Sequence, residues 1–140
     1  MDGHGQLYEF WGRHLIATYG ECDEAALRDH ASLLRVLETT ARASGATVLQ
    51  TVSKSFSSSG LTAVLLLSES HASIHTYPEH RSCFVDLFTC GSHCHPERFG
   101  KLLTDYLRPG IAHQQIILRH LGDGEMLRMR ETELAPTHAY

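Results

Sequence analysis

Between Leu65 and Gly91 the chain gathers side chains that can do chemistry. An apolar run, Leu65-Leu66-Leu67, stops at Ser68-Glu69-Ser70-His71. Ile74-His75-Thr76-Tyr77-Pro78-Glu79 follows, and then Asp86 and Phe88-Thr89-Cys90-Gly91. Hydroxyls, carboxylates, imidazoles and a thiol at the edge of a buried strand must be paired or used, because burying them unpaired is costly. Taken singly, each has an ordinary reading. Ser-Glu-Ser suits a polar turn, the histidines suit half-exposed strand positions, and Cys90 suits a small buried apolar site. Together they offer a nucleophile, acid-base groups and a thiol within about twenty positions, which a hairpin can fold onto one another.

Ser68-Glu69-Ser70-His71, Ile74-His75-Thr76, Pro78-Glu79, and Asp86 through Thr89-Cys90-Gly91 resemble the small prokaryotic S-adenosylmethionine decarboxylase proenzymes, a pyruvoyl-dependent, self-cleaving family. Gly12-Arg13-His14-Leu15, Glu21-Cys22-Asp23 and Ser44-Gly45-Ala46 carry the likeness further, over roughly residues 10 to 122. It implies that Ser70 attacks the Glu69 carbonyl, so that the chain is cut between Glu69 and Ser70. A β chain of 1–69 and an α chain of 70–140 result. Such a cut needs a hydroxyl nucleophile, a base and donors for the oxyanion. The new terminus becomes the covalent pyruvoyl cofactor, so neither a metal nor pyridoxal phosphate is needed. By the same resemblance His75 helps the elimination, Thr62 stands where a processing serine is usual, and Cys90 returns a proton to the product. Phe56 and Tyr77 match positions that sandwich an adenine, and Glu79 the carboxylate that holds ribose hydroxyls. The implied product is decarboxylated S-adenosylmethionine, the aminopropyl donor of spermidine biosynthesis.

Two departures bear on the substrate. Ser57-Ser58-Ser59 follows Phe56 where the family carries an apolar residue and proline, and Arg81-Ser82-Cys83 follows His80 in place of Gly-Tyr-Ala. A more polar pocket would suit arginine or ornithine, which relatives decarboxylate through the same group, since a basic far end must be paired. A reading of another class is a non-catalytic metal module of Cys90, His93, Cys94 and His95, with His71 or His80. Its spacing is no standard zinc pattern.

The elements that must position these residues follow from pattern. Residues 13–19 read as a strand ended by Gly20. Asp23 caps a helix running to Ala43, with Leu27, Ala31, Leu34, Leu37 and Ala41 on one face and Gly45 at its end. Strands are expected at 46–52, 61–67, 72–77, 83–88 and 113–119, with 53–60 a polar loop. The apolar run Leu61–Leu67 suits a strand buried on both faces. Pro96 opens a second helix and Pro109-Gly110 stops it. The tail from Gly122 reads as loose. Ser70 and His75 differ by an odd number, so a turn or bulge is expected at about 69–71. The order β-α-β-β-β-β-α-β predicts an α+β fold, a two-layer sandwich with a mainly antiparallel sheet and helices on one face. The other face needs a cover, which predicts a homodimer with the active site near the contact between protomers.

Composition agrees with one folded domain spanning 1–140. The chain is 42% hydrophobic and 20% charged, with a net charge of −4, so it carries no basic footprint for nucleic acid. No apolar stretch is long enough to span a membrane, and the first residues lack the regions of a signal peptide, which predicts a cytoplasmic protein with free thiols. The expected partner is a small-molecule substrate.

Overall fold

The computed structural model describes residues 10–122 and the backbone of 128–133. Strand β1 (Gly12–Gly20) leads through α1 (Glu24–Arg28) and α2 (His30–Ala43) to β2 (Val48–Ser55). Then come β3 (Leu61–Leu67), β4 (Ser70–Tyr77), a 3-10 turn (Pro78–His80) and β5 (Ser82–Cys90). Helix α3 (Pro96–Leu107), β6 (Ile111–Arg119) and β7 (Arg128–Glu133) complete the order. The strands form one antiparallel sheet in the order β2-β3-β4-β5-β1-β6-β7. Among the described residues no helix is long and apolar enough to cross a membrane.

The helices lie on one face of this sheet. Leu15, Ala17 and Tyr19 of β1, Leu61, Ala63 and Leu65 of β3, Ile74 of β4 and Leu87 of β5 are all at most 2% exposed. They pack with Leu27, Leu33, Leu37, Phe99, Leu103 and Leu107 of the helices in one core. Alternation sends their neighbours to the opposite, outer face. There Ile16, Val64, Leu66 and Phe84 are exposed. Strand β3 is therefore buried on its odd positions only, and the expectation of two buried faces does not hold within one chain.

Three other expectations change. The first helix is two, because Asp29 ends α1 and caps α2, its carboxylate accepting from the Ser32 amide at 3.0 Å. The break shifts the phase, so Leu33 is buried and Ala31 exposed. Strand β2 extends through Ser55 into the expected loop. The expected loose tail supplies β7, paired to β6; the rest of that tail lies outside the described residues. Asp23 caps α1 as expected, accepting from the Ala25 amide at 3.0 Å. Gly45 follows α2 at φ +103, where a Cβ would meet the His93 carbonyl at 2.5 Å.

Candidate active site

Strands β3 and β4 are joined by a two-residue turn, since Leu67 pairs with Ser70 and leaves only Ser68 and Glu69 between them. The turn is held from inside. The Glu69 side chain is 5% exposed. Its Oε1 accepts from the Thr47 amide at 2.8 Å and its Oε2 from the Ser68 hydroxyl at 2.6 Å. The His93 Nε2 stands 3.7 Å from Oε2. These donors let a carboxylate occupy a buried turn. The Glu69 carbonyl in turn accepts from the Cys90 amide at 3.2 Å. An N–H aimed at a carbonyl oxygen favours negative charge there, as nucleophilic attack would create.

Ser70 itself has φ +154, a region that residues with a Cβ rarely adopt. The irregularity expected at 69–71 thus consists of the turn at 68–69 and this twisted residue. By register Ser70 sits opposite Thr89, yet its hydroxyl lies 3.6 Å from the Cys90 thiol. The Ser70 hydroxyl, the Cys90 thiol and the Glu69–Ser70 peptide bond are thereby gathered at one end of β4.

The remaining residues singled out from the sequence collect at the other end. Thr62 pairs with His75 across β3 and β4, with the hydroxyl 3.1 Å from His75 Nδ1. Phe56, half exposed, tips the β2–β3 connection. Tyr77 packs edge-on against Phe84 at 5.7 Å, and Glu79 is exposed in the 3-10 turn that follows. Ser70 and His75 stand five positions apart, roughly 16 Å of extended strand. Within one chain the structure does not bring His75, Thr62, Phe56, Tyr77 or Glu79 to Ser70.

Between the two ends lies a polar centre on the outer face. Asp86 Oδ2 is 2.8 Å from His14 Nε2 and 2.9 Å from His71 Nε2, and Oδ1 accepts from the Ser73 hydroxyl. Arg119 approaches His14 Nδ1 at 3.4 Å and lies over the Phe88 ring at 4.8 Å. Arginine only donates, so His14 Nδ1 accepts and Nε2 carries the proton given to Asp86. Burial works to raise the Asp86 pKa, but the hydrogen bonds from His14, Ser73 and His71 outweigh it and hold the carboxyl well below the ordinary range.

The thiols differ in surroundings. Cys22, Cys83 and Cys94 are buried, whereas Cys90 is partly exposed. Burial and the nearby Glu69 charge push the Cys94 thiol up to about 12. Among the described residues, the groups whose ligand atoms converge within 4.8 Å are His14/His71/Asp86 and Glu69/His93/Cys94. Neither contains Cys90, His95 or His80, so the four-residue cluster considered from the sequence is not assembled as a unit.

Three features were not singled out from the sequence as functional. The Asp86 centre joins β1, β4 and β5, and only the strand register places His14 beside His71. The Cys90 amide on the Glu69 carbonyl is a backbone contact with no side-chain signature. His30 holds the β2–β3 connection, with Nε2 2.8 Å from the Ser59 carbonyl and Nδ1 2.8 Å from the Ser55 hydroxyl. The serines that depart from the family pattern after Phe56 were the available signal.

Comparisons with known proteins place the chain in a family. The family model described as S-adenosylmethionine decarboxylase matches residues 13–120. An S-adenosylmethionine decarboxylase proenzyme of Parasynechococcus marenigrum is 45% identical over 97 residues, covering 69% of this chain and 76% of that one. The S-adenosylmethionine decarboxylase proenzyme 2 of Bacillus cereus is 37% identical over 116 residues, or 83% of this chain and 94% of the relative. In three dimensions the chain resembles the adenosylmethionine decarboxylase of Aquifex aeolicus, with a TM-score of 0.75 and 28% identity over 84% of this chain and 97% of that one. With matches of that extent running through both halves of the site, this chain belongs to the S-adenosylmethionine decarboxylase family.

Proposed function

We propose that the protein is a self-processing, pyruvoyl-dependent S-adenosylmethionine decarboxylase. The observation that carries this is the Ser70 hydroxyl 3.6 Å from the Cys90 thiol, at a peptide bond whose carbonyl accepts from the Cys90 amide. In processing, Ser70 Oγ bonds to the Glu69 carbonyl carbon and the peptide C–N bond breaks, leaving an ester. The Cys90 amide stabilises the oxygen that bears charge during the attack. A base then removes the Ser70 α-proton, and elimination frees the Glu69 carboxylate. Water replaces the nitrogen at residue 70, which leaves as ammonia.

The residues fit a pyruvoyl group at position 70. Its carbonyl would condense with the substrate's α-amine and take up the electron pair left when CO2 departs. Cys90, beside residue 70, supplies a proton to the substrate carbon. Phe56 and Tyr77 offer π faces for an adenine and a sulfonium, and Glu79 offers a carboxylate for ribose hydroxyls.

The two half-sites lie at opposite ends of β4, so one protomer cannot complete the site. A second copy laid face to face on the outer sheet surface, with its strands reversed, would bring its Thr62–His75 end to this chain's Ser70–Cys90 end. The exposed Ile16, Val64, Leu66 and Phe84 give that contact an apolar basis. The fitting assembly is a homodimer of cut protomers.

The test is CO2 release from carboxyl-labelled S-adenosylmethionine, arginine and ornithine, each supplied alone and then in competition. Release from S-adenosylmethionine, unaffected by the other two, supports the reading. Release from arginine or ornithine alone would reassign the substrate and give the Ser57–Ser59 loop a role in binding a basic side chain.

A further inference from the structure

Scission changes what holds residue 70. In the uncut chain Ser70 is tied covalently to the anchored Glu69, whose side chain and carbonyl are both bonded into the fold. After the cut, residue 70 is a chain terminus at the end of β4, and free strand ends fray unless tied down. The carbonyl chemistry requires that this terminus stay beside the Cys90 thiol.

The first side chain of β4 able to tie it down is His71. It pairs with Phe88 across β5 and donates from Nε2 to Asp86 at 2.9 Å, a charge-assisted bond. Asp86 is a firm anchor, because His14 and Ser73 also donate to it and Arg119 braces His14 from behind. Ser73 adds a second attachment of β4 to the same carboxylate, two residues on. The scissile carbonyl accepts from the Cys90 amide, outside this cluster, so the cluster is placed to hold the product of scission and not to perform it.

We propose that His71, through Asp86, is a positioning residue that fixes the pyruvoyl end of the cut α chain against Cys90. The proposal rests on the functional reading above. Its chemical consequence is a choice between two carbons. A proton delivered to the substrate carbon gives the decarboxylated amine and restores the group. A proton delivered to the carbon of residue 70 leaves the substrate's nitrogen there. Residue 70 then becomes alanine, and water supplies the oxygen of the aldehyde that departs. A terminus that drifts from Cys90 favours the second outcome.

The test compares wild type, His71→Ala, His71→Gln and Asp86→Asn by intact mass before and after turnover, by kcat and KM, and by hydrogen exchange of the first β4 amides in the cut protein. Gln keeps a donor near the position of Nε2. The expected result for His71→Ala is normal cutting, a KM within twofold of wild type and a kcat lower by roughly 10- to 100-fold, as misplacement of reacting groups produces. A larger share of its α chains should carry alanine at position 70, and its first β4 amides should exchange faster. Asp86→Asn should behave similarly and His71→Gln should recover most of the loss. An unchanged kcat and alanine share, or a loss confined to KM, overturns the tether while leaving the decarboxylase reading intact. A His71→Ala chain that stays uncut overturns it too, since His71 would then act in scission. A wild-type chain that stays full-length sinks the functional reading and the tether with it.

Discussion

Asp86 shows how much of the site depends on one carboxylate. It accepts from His14, His71 and Ser73 on the outer face, and these bonds hold it ionised despite partial burial. In the unfolded chain it takes up a proton in the ordinary range, near pH 3.9, whereas the folded protein resists protonation to lower pH. Its contribution to stability is therefore complete above that range and is lost as pH falls below it. Thermal unfolding followed from about pH 6 to about pH 3 should show wild type losing stability more steeply than Asp86→Asn over the lower part of that span. Parallel curves would contradict this. The thiols make a second case. Cys90 is partly exposed, while Cys94 is buried with its thiol held protonated. Brief iodoacetamide treatment followed by peptide mapping should label Cys90 first and abolish turnover. Earlier labelling of Cys94 would speak against the assignment of these environments.

At the scale of elements, the hairpin of β3 and β4 was legible. Its apolar run ends at a turn, and an irregularity is present near Ser70 as expected, although the reason given for it, a meeting of Ser70 with His75 within one chain, does not hold. The break at Asp29 was not legible as such, since the apolar spacing runs on through it and only the capping bond to Ser32 marks it. The open face of β3 was misread because a largely apolar strand such as Leu61–Leu67 looks alike whether its second face meets helices or another copy. The β2–β3 connection illustrates a local replacement. It carries serines after Phe56, and His30 clamps both of its sides. His30→Ala should raise hydrogen exchange at Phe56–Gly60 and increase KM for S-adenosylmethionine several-fold. Global stability should fall by no more than about 1 kcal/mol, the scale of one or two partly exposed hydrogen bonds. Unchanged exchange in that loop would show that the serines support themselves.

The whole molecule explains why the site looks incomplete. Ser70 and Cys90, to which the proposal gives scission and proton return, sit at one end of β4, and Thr62, His75 and Tyr77, with their proposed roles in processing and substrate contact, sit at the other. Sequence order could not reveal this, because the family pattern specifies residue types and not whether one chain or two supply them. A mixed-chain experiment separates the two arrangements. Alone, His75→Ala should stay uncut if His75 is needed for processing. Co-expressed with Ser70→Ala, it should be cut, because one of the two shared sites then pairs an intact Ser70 with an intact partner histidine. Cutting that never appears in the mixture would place the whole site within a single chain.

The central claim is that Ser70 becomes a carbonyl that takes the substrate amine. The most direct measurement is the denaturing intact mass of the purified protein, after incubation with S-adenosylmethionine and a Schiff-base reductant. The account predicts two fragments that meet at Glu69 and Ser70, with the substrate-derived adduct on the fragment beginning at residue 70. A single full-length mass without adduct would contradict it.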